Sequence, residues 1–180
     1  RAVRRAFGRA AATYDDAAVL QREVGARLAS RLDVVKLAPG TILDAGCGTG
    51  EAVRGLAARY PGARVVAVDA AYPMVAAARA RAAGGRSRLA KLLGPLALGA
   101  PANAFACADV AALPLAPGSV DLLWSNLVLQ WVADLPRAFG ECRRVLATGG
   151  LLMFSTFGPD TLRELREAFA GVDTHTHVSR

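Results

Sequence analysis

The chain has 180 residues, 53% of them hydrophobic and 21% charged, which excludes a disordered segment and leaves enough apolar mass for one well-packed domain. Alanine makes up about a fifth of the residues, so the mean hydropathy of +0.30 reflects helix-forming alanine rather than a membrane segment. The most apolar window, residues 92–108, is broken by Gly94, Pro95, Gly99 and Pro101 and falls short of the ~20 apolar residues a span requires. A net charge of +7 points either to an arginine-rich composition without functional meaning or to an acidic partner. Arg1, Arg4, Arg5 and Arg9 form one basic cluster, Arg79, Arg81, Arg86, Arg88 and Lys91 a second, and Arg163 with Arg166 a weaker third.

In chain order, residues 17–32 read as a helix, with Leu20, Val24 and Leu28 four apart. Residues 41–44 (TILD) read as a short buried strand. Residues 51–60 form a helix stopped by Pro61-Gly62. Residues 64–69 (RVVAVD) are a β-branched strand. Residues 73–83 are a helix with Pro73 at its start, where a missing N–H costs nothing. A Gly/Pro-punctuated connection is expected over 84–102, with one helical turn near 88–93. Strands follow at 104–108 and 120–125, then a helix at 135–146 closed by Gly149-Gly150, and a fifth strand at 151–156. Thr161 and Glu164 have capping-box spacing and start a helix over 161–170.

Alternation of buried strands with helices specifies an α/β fold built on a mostly parallel sheet, with helices on both faces. Ligands of such sheets bind at the carboxyl ends of the strands, near the point where strand order reverses. The chemistry-bearing residues fall there. Asp44-Ala45-Gly46-Cys47-Gly48-Thr49-Gly50 follows the first strand and opens a helix, Asp69 closes the second strand, and Asp109 closes the third. The glycine loop is neither a dinucleotide fingerprint, because Glu51 stands at its last position, nor a phosphate loop, because no Gly-Lys-Ser/Thr follows. An acid ahead of the glycines suits a ligand bearing an ammonium group better than a pyrophosphate. Asp69 sits where an acid accepts hydrogen bonds from ribose hydroxyls, and doubles as a potential helix cap. Three cysteines, Cys47, Cys107 and Cys142, are an odd number with no metal or disulfide spacing, so a reducing, cytoplasmic setting and apolar packing roles are expected.

This set of motifs resembles the class I S-adenosylmethionine-dependent methyltransferases, with a Rossmann-like core. The resemblance implies S-adenosyl-L-methionine as cofactor and no metal. Gly46 and Gly48 would lie along its methionine part, Asp69 at the ribose, and Met74, Asp109 and Val110 around the adenine, with Cys47 and Ala70 also in the cofactor-binding set. Met74 serves equally as plain core. Asp44, Asn126, Tyr14 and Gln21 complete the expected binding set. The acid- or Asn-led double-proline signature of nucleic-acid amino-methylating enzymes is absent after strand four.

Three further stretches resemble the malonyl-[acyl-carrier protein] O-methyltransferase family of biotin synthesis. They are Phe7-Gly-Arg9 through Tyr14-Asp15 with Leu20-Gln21; Trp124-Ser-Asn126 through Gln130-Trp131 with Asp134-Leu-Pro136; and Phe154-Ser-Thr-Phe-Gly-Pro-Asp-Thr-Leu162. This resemblance implies methyl transfer to the free carboxylate of a malonyl thioester on an acidic carrier protein, with neither nucleic acid nor membrane as partner. A carboxylate is nucleophilic at neutral pH (pKa ~4), so no general base is required and catalysis rests on orientation and desolvation. Tyr14, Gln130 and Trp131 are the candidates for walling the reaction site, with residues 1–38 as a helical lid and 39–170 as the cofactor-binding core. Tyr14 and Trp131 serve equally as packing aromatics. Two alternatives share the fold: an arginine hydroxylase that assists respiratory complex I assembly, and a cofactor-binding but inactive piece. The family closes its sheet with seven strands in the order 3-2-1-4-5-7-6. Residues 1–180 supply five of them, so the expectation is a C-terminally truncated domain with residues 171–180 starting the missing part and an open apolar edge on strand five. His175 and His177 are expected in a solvated tail.

Overall fold

The computed structural model describes residues 2–11, 13–84, 103–158, 160, 161, 163 and 167. The expected connection over 84–102, most of the helix over 161–170, the tail histidines and the basic residues Arg86, Arg88, Lys91 and Arg166 lie outside the described residues. So do residue 1 and the side chain of Arg4.

Among the described residues five parallel strands form one sheet: β1 (Thr41–Ala45), β2 (Arg64–Asp69), β3 (Ala104–Cys107), β4 (Val120–Asn126) and β5 (Leu146–Ser155), in the order β3-β2-β1-β4-β5. Ile42, Leu43 and Ala45 are wholly buried because β1 is central and covered on both faces, which is why its sequence runs apolar instead of alternating. β1 pairs with β2 on one side (Asp44 opposite Ala67) and with β4 on the other (Asp44 opposite Trp124). The Asp121 carboxylate accepts the backbone N–H groups of Gly40 and Thr41, each at 2.9 Å, and so fixes where β1 begins.

The helices are α1 (Ala2–Ala10), α2 (Tyr14–Ala17), α3 (Val19–Ser30), α4 (Glu51–Arg59), α5 (Tyr72–Gly84) and α6 (Leu135–Val145). On one face of the sheet Ile42, Val65, Ala67, Leu122 and Trp124 pack with Val53, Leu56, Ala78 and Leu32, contributed by α4, α5 and the turn after α3. On the other, Leu43, Val66, Val68 and Leu123 pack with Ala138, Cys142 and Val145 of α6. The chain thus winds β1–α4–β2–α5–β3 to one side, then returns to place β4–α6–β5 on the other. Strand order reverses between β1 and β4, and the crevice at that switch point faces the carboxyl ends of both.

Three boundaries differ from expectation. The helix expected over 17–32 is broken at Ala18 (φ −81°, ψ 33°) into α2 and α3 and finishes as a 3-10 turn at Arg31–Val34. Its periodic Leu20 is half exposed, so packing does not reward a continuous apolar face there. Strand β5 starts at Leu146 rather than 151, because Leu146 pairs with Val120 and packs on the α6-side core; Gly149 and Gly150 therefore lie inside the strand, against a register shift in β4. Strand β3 stops at Cys107, two residues before Asp109, which makes an isolated antiparallel bridge with Ala112. Cys107 is exposed, unlike the buried Cys47 and Cys142 and contrary to an apolar packing role. Among the described residues no helix is long and apolar enough to cross a membrane. In the same residues β5 is the outer strand of the sheet, with Phe154 39% exposed and stacked edge-on against Phe139.

Candidate functional site

The loop after β1 is built by close approach. Gly46 (φ +83°) and Gly50 (φ +82°) occupy left-handed backbone that L side chains rarely adopt. A Cβ on Gly46 would fall 2.3 Å from Val128 Cγ2, and one on Gly50 would fall 2.8 Å from Ala78 Cβ. The loop must therefore be glycine for two reasons, conformation and space. It is tied to the neighbouring strand: Gly46 N and Cys47 N both donate to Val68 O, at 2.8 and 2.9 Å.

Asp69, at the end of β2, braces the same loop. Its Oδ2 accepts Gly48 N at 3.0 Å and its Oδ1 accepts Ala71 N at 2.8 Å. Burial pushes this carboxyl up from its ordinary value while those backbone donors pull it back. A carboxylate has about four acceptor sites, more than these backbone donors use, so Asp69 can take a ligand hydroxyl while holding the loop.

Asp44 is in a different state. It is 2% exposed, and its Oδ2 has no hydrogen-bond partner among the described residues. Desolvation, with a smaller push from the Asp69 charge, raises its pKa from 3.8 to about 7. A buried carboxyl left half unsatisfied is costly, and a ligand cation placed beside it would relieve that cost. Among the described residues two more buried polar atoms lack partners: Gln21 Oε1 and Trp124 Nε1. Trp124 is the register partner of Asp44 on β4, so both side chains project to one face of the sheet.

These groups line two adjoining cavities that share Tyr14, Gly46, Gly48 and Asn126. One, of about 470 Å³, is bounded by Asp69, Ala70, Met74, Asp109 and Val110 on one side and by Phe7 and Trp131 on another. The second, of about 330 Å³, is bounded by Gln21, Asp44, Cys47, Thr49, Arg22 and Trp124. The larger has the size of a small-molecule site. Met74 is 1% exposed and also wedged into the core. Asp109 is exposed, and its Oδ1 accepts Ala111 N at 2.9 Å, an Asx turn that presents the buried Val110 to the cavity.

The remaining expected residues sort by geometry. Tyr14 packs edge-on against Phe7, with ring centroids 6.1 Å apart, and Phe7 in turn meets Trp131 at 5.5 Å. Burial, and then the Asp69 and Asp15 charges, raise the Tyr14 pKa, so its hydroxyl stays protonated and able to donate. Trp131 is 43% exposed, so it stands at the mouth and not in the core. Asn126 is a hub: its Nδ2 donates to Gln21 O at 2.8 Å, and its Oδ1 accepts Ser155 Oγ at 2.7 Å. It ties α3 to the ends of β4 and β5 beside Leu127, the one described non-glycine residue with positive φ (+53°). Gln130 lines neither cavity; its Nε2 donates to Leu127 O at 2.8 Å and braces that loop. The sequence assigned no role to Phe7, Thr49 or Ser155, which meet Trp131, Asp15 and Asn126 only across the fold. Among the described residues there is no cluster of His, Cys, Asp or Glu able to hold a metal ion.

A family described as methyltransferase domain matches residues 43–154, from the core of β1 to the end of β5. The chain belongs to the methyltransferase-domain family. The matched region contains the glycine loop, Asp69, Asp109 and Asn126, and the fold is that of the class I methyltransferases. A malonyl-[acyl-carrier protein] O-methyltransferase of Gallionella capsiferriformans is 51% identical over 180 residues, which is 100% of this chain and 59% of the relative. One from Methylovorus is 52% identical over 178 residues, 99% of this chain and 57% of the relative. The chain thus spans less than two thirds of the length of these curated relatives. Among solved structures, an S-adenosylmethionine-dependent methyltransferase from Mesorhizobium loti superposes with a TM-score of 0.53 at 32% identity, covering 74% of this chain and 52% of that one.

Proposed function

We propose that this methyltransferase domain binds S-adenosyl-L-methionine and directs its methyl group to the free carboxylate of a malonyl thioester on acyl carrier protein, a step of biotin precursor synthesis. The observation that carries the acceptor is the identity of about half of all residues, across the whole chain, with relatives of that name. The site fits the cofactor on its own chemistry. The unpartnered Asp44 Oδ2 is an acceptor for an ammonium group, Asp69 keeps acceptor sites for ribose hydroxyls, and Met74 with Val110 offers apolar walls for a flat base.

Bound there, S-adenosylmethionine supplies a methyl group on positively charged sulfur, and an acceptor carboxylate, ionised at neutral pH, needs no base to receive it. The chain's task is then to orient the two partners and exclude water. Phe7, Tyr14 and Trp131 form an aromatic wall suited to that purpose, and residues 1–38 act as the lid over a core spanning 39–170. Protonated Tyr14 is a donor for a carboxylate within the site. The exposed Arg5 and Arg9 on α1 steer the acidic carrier protein to this lid. Three free cysteines fit a reducing cytoplasmic setting.

The test is incubation of the chain with methyl-labelled S-adenosylmethionine and malonyl-carrier protein, followed by detection of the methyl ester. Ester formation supports the proposal. Cofactor binding without ester removes the acceptor assignment, and no cofactor binding removes the whole reading.

A further inference from the structure

We propose that Asp15 is a positioning residue: a charge-dependent latch that holds Tyr14 against the glycine loop and sets how fast the site opens. Asp15 Oδ1 accepts Thr49 Oγ1 at 2.6 Å, and Thr49 is a buried polar residue of the glycine loop, 4% exposed. Asp15 Oδ2 takes the guanidinium of Arg81 on α5, and the same guanidinium reaches Glu51 at the first turn of α4. The Asp15 carbonyl accepts Arg22 Nη1 from α3 at 2.5 Å. One short helix is therefore fastened to the glycine loop, α3 and α5 directly, and to α4 through Arg81, all through residue 15.

The neighbour of this latch in the chain is Tyr14, which stands where the two cavities meet. Tyr14 lines both cavities, and its ring edge lies 3.9 Å from the position a Cβ on Gly48 would occupy. Phe7 leans on Tyr14 and on Trp131, so displacing α2 would disturb the aromatic wall as one unit. The fastening is reversible by construction. Side-chain exposure is 33% for Arg81 and 45% for Asp15, so the pair is screened by solvent and by salt, whose Debye length shrinks from about 10 Å at 0.1 M to about 3 Å at 1 M. A latch of this strength holds the helix down on average and still lets it lift. The inference rests on the proposed cofactor reading only for what the opening releases; the latch itself is a statement about α2.

Two measurements test it on the full chain. The first is amide hydrogen exchange of Tyr14–Ala17 without ligand, in the wild type, Asp15→Asn, Asp15→Glu, Arg81→Gln and the control Asp16→Asn, which alters an exposed neighbour. Exchange is expected to be about fivefold faster in Asp15→Asn and Arg81→Gln, to return towards wild type in Asp15→Glu, and to be unchanged in the control. The second is the release rate of S-adenosylhomocysteine at about 50 mM and about 500 mM salt. Wild-type release should quicken about fivefold with salt, while Asp15→Asn should already be fast at low salt and nearly insensitive to it. The KM of Asp15→Asn for S-adenosylmethionine should be raised at low salt and no longer rise with salt as the wild-type KM does, a pattern that general destabilisation would not give. Wild-type exchange and salt-dependent release in both Asp15→Asn and Arg81→Gln would overturn the latch. If the wild type binds no S-adenosylhomocysteine, the functional reading falls, and the exchange experiment alone decides the latch.

Discussion

Replacing Asp44 by asparagine tests the electrostatics at the centre of the site. In the folded chain this carboxyl titrates at about 7, against an ordinary value of 3.8, because it is wholly desolvated and lies near Asp69. An acid whose folded pKa lies above its unfolded value binds more protons when folded. Its contribution therefore falls as pH rises from the unfolded pKa to the folded one, and the full penalty is present above about pH 7. Between about pH 5 and about pH 8 that amounts to roughly 3 kcal/mol of lost stability. An amide at this position would not titrate, so the variant should escape this loss. The amide carries its own cost of about 1–3 kcal/mol for imperfectly paired polar atoms, but that cost is independent of pH. The informative quantity is thus the change with pH in the difference between variant and wild type. At about 2–4 °C per kcal/mol for a chain of this size, the variant should gain roughly 6–12 °C of Tm relative to wild type over that range. Thermal unfolding followed by circular dichroism at several pH values measures it. Parallel Tm–pH curves for the two proteins would refute the raised pKa and the burial argument behind it. Calorimetry supplies the functional half: cofactor affinity of the wild type should strengthen as pH rises through about 7, and that of the variant should stay flat.

Asp69→Ala should weaken cofactor binding at least tenfold, about 1.4 kcal/mol, by equilibrium dialysis, and also free the Gly48 amide it braces. Gly46→Ala should cost about 1–2 kcal/mol for left-handed backbone and another 1–3 for the clash with Val128. In denaturant titrations the double variant Gly46→Ala/Val128→Ala should recover part of the second cost and none of the first, because Val128 Cβ would itself stay 2.9 Å from the added Cβ. Asn126→Asp should destabilise more than Asn126→Ala, because a carboxylate oxygen would then face the Gln21 carbonyl that now receives an N–H. Equal unfolding midpoints for the two Asn126 variants would contradict that account.

Much of this molecule was legible without coordinates because its signals are local. The runs TILD and RVVAVD are short, apolar and bounded by turns, and they became the central strands with bounds within a residue. The glycine loop announced a conformation that L side chains rarely adopt, and Asp44, Asp69 and Asp109 announced themselves by falling at or just past strand ends, where an α/β sheet opens its crevice. Local rules failed where the partner was distant. Residues 146–150 read as helix end and turn, yet they extend because Val120 offers a strand edge to Leu146.

The sequence by itself determined the order of elements, the parallel sheet and the acids at its carboxyl edge, since periodicity, breakers and turn chemistry act over a few neighbouring residues. Tertiary structure alone decided the states of those acids. Asp44 and Asp69 both read as carboxylates at strand ends, but one is stranded beside Trp124 with an unpartnered oxygen and the other is held by backbone donors while it braces Gly48. Asp15, 34 residues from Thr49 and 66 from Arg81, acquires its partners only when the chain folds. Burial and hydrogen bonding across such separations set charge and position, and no local pattern encodes them.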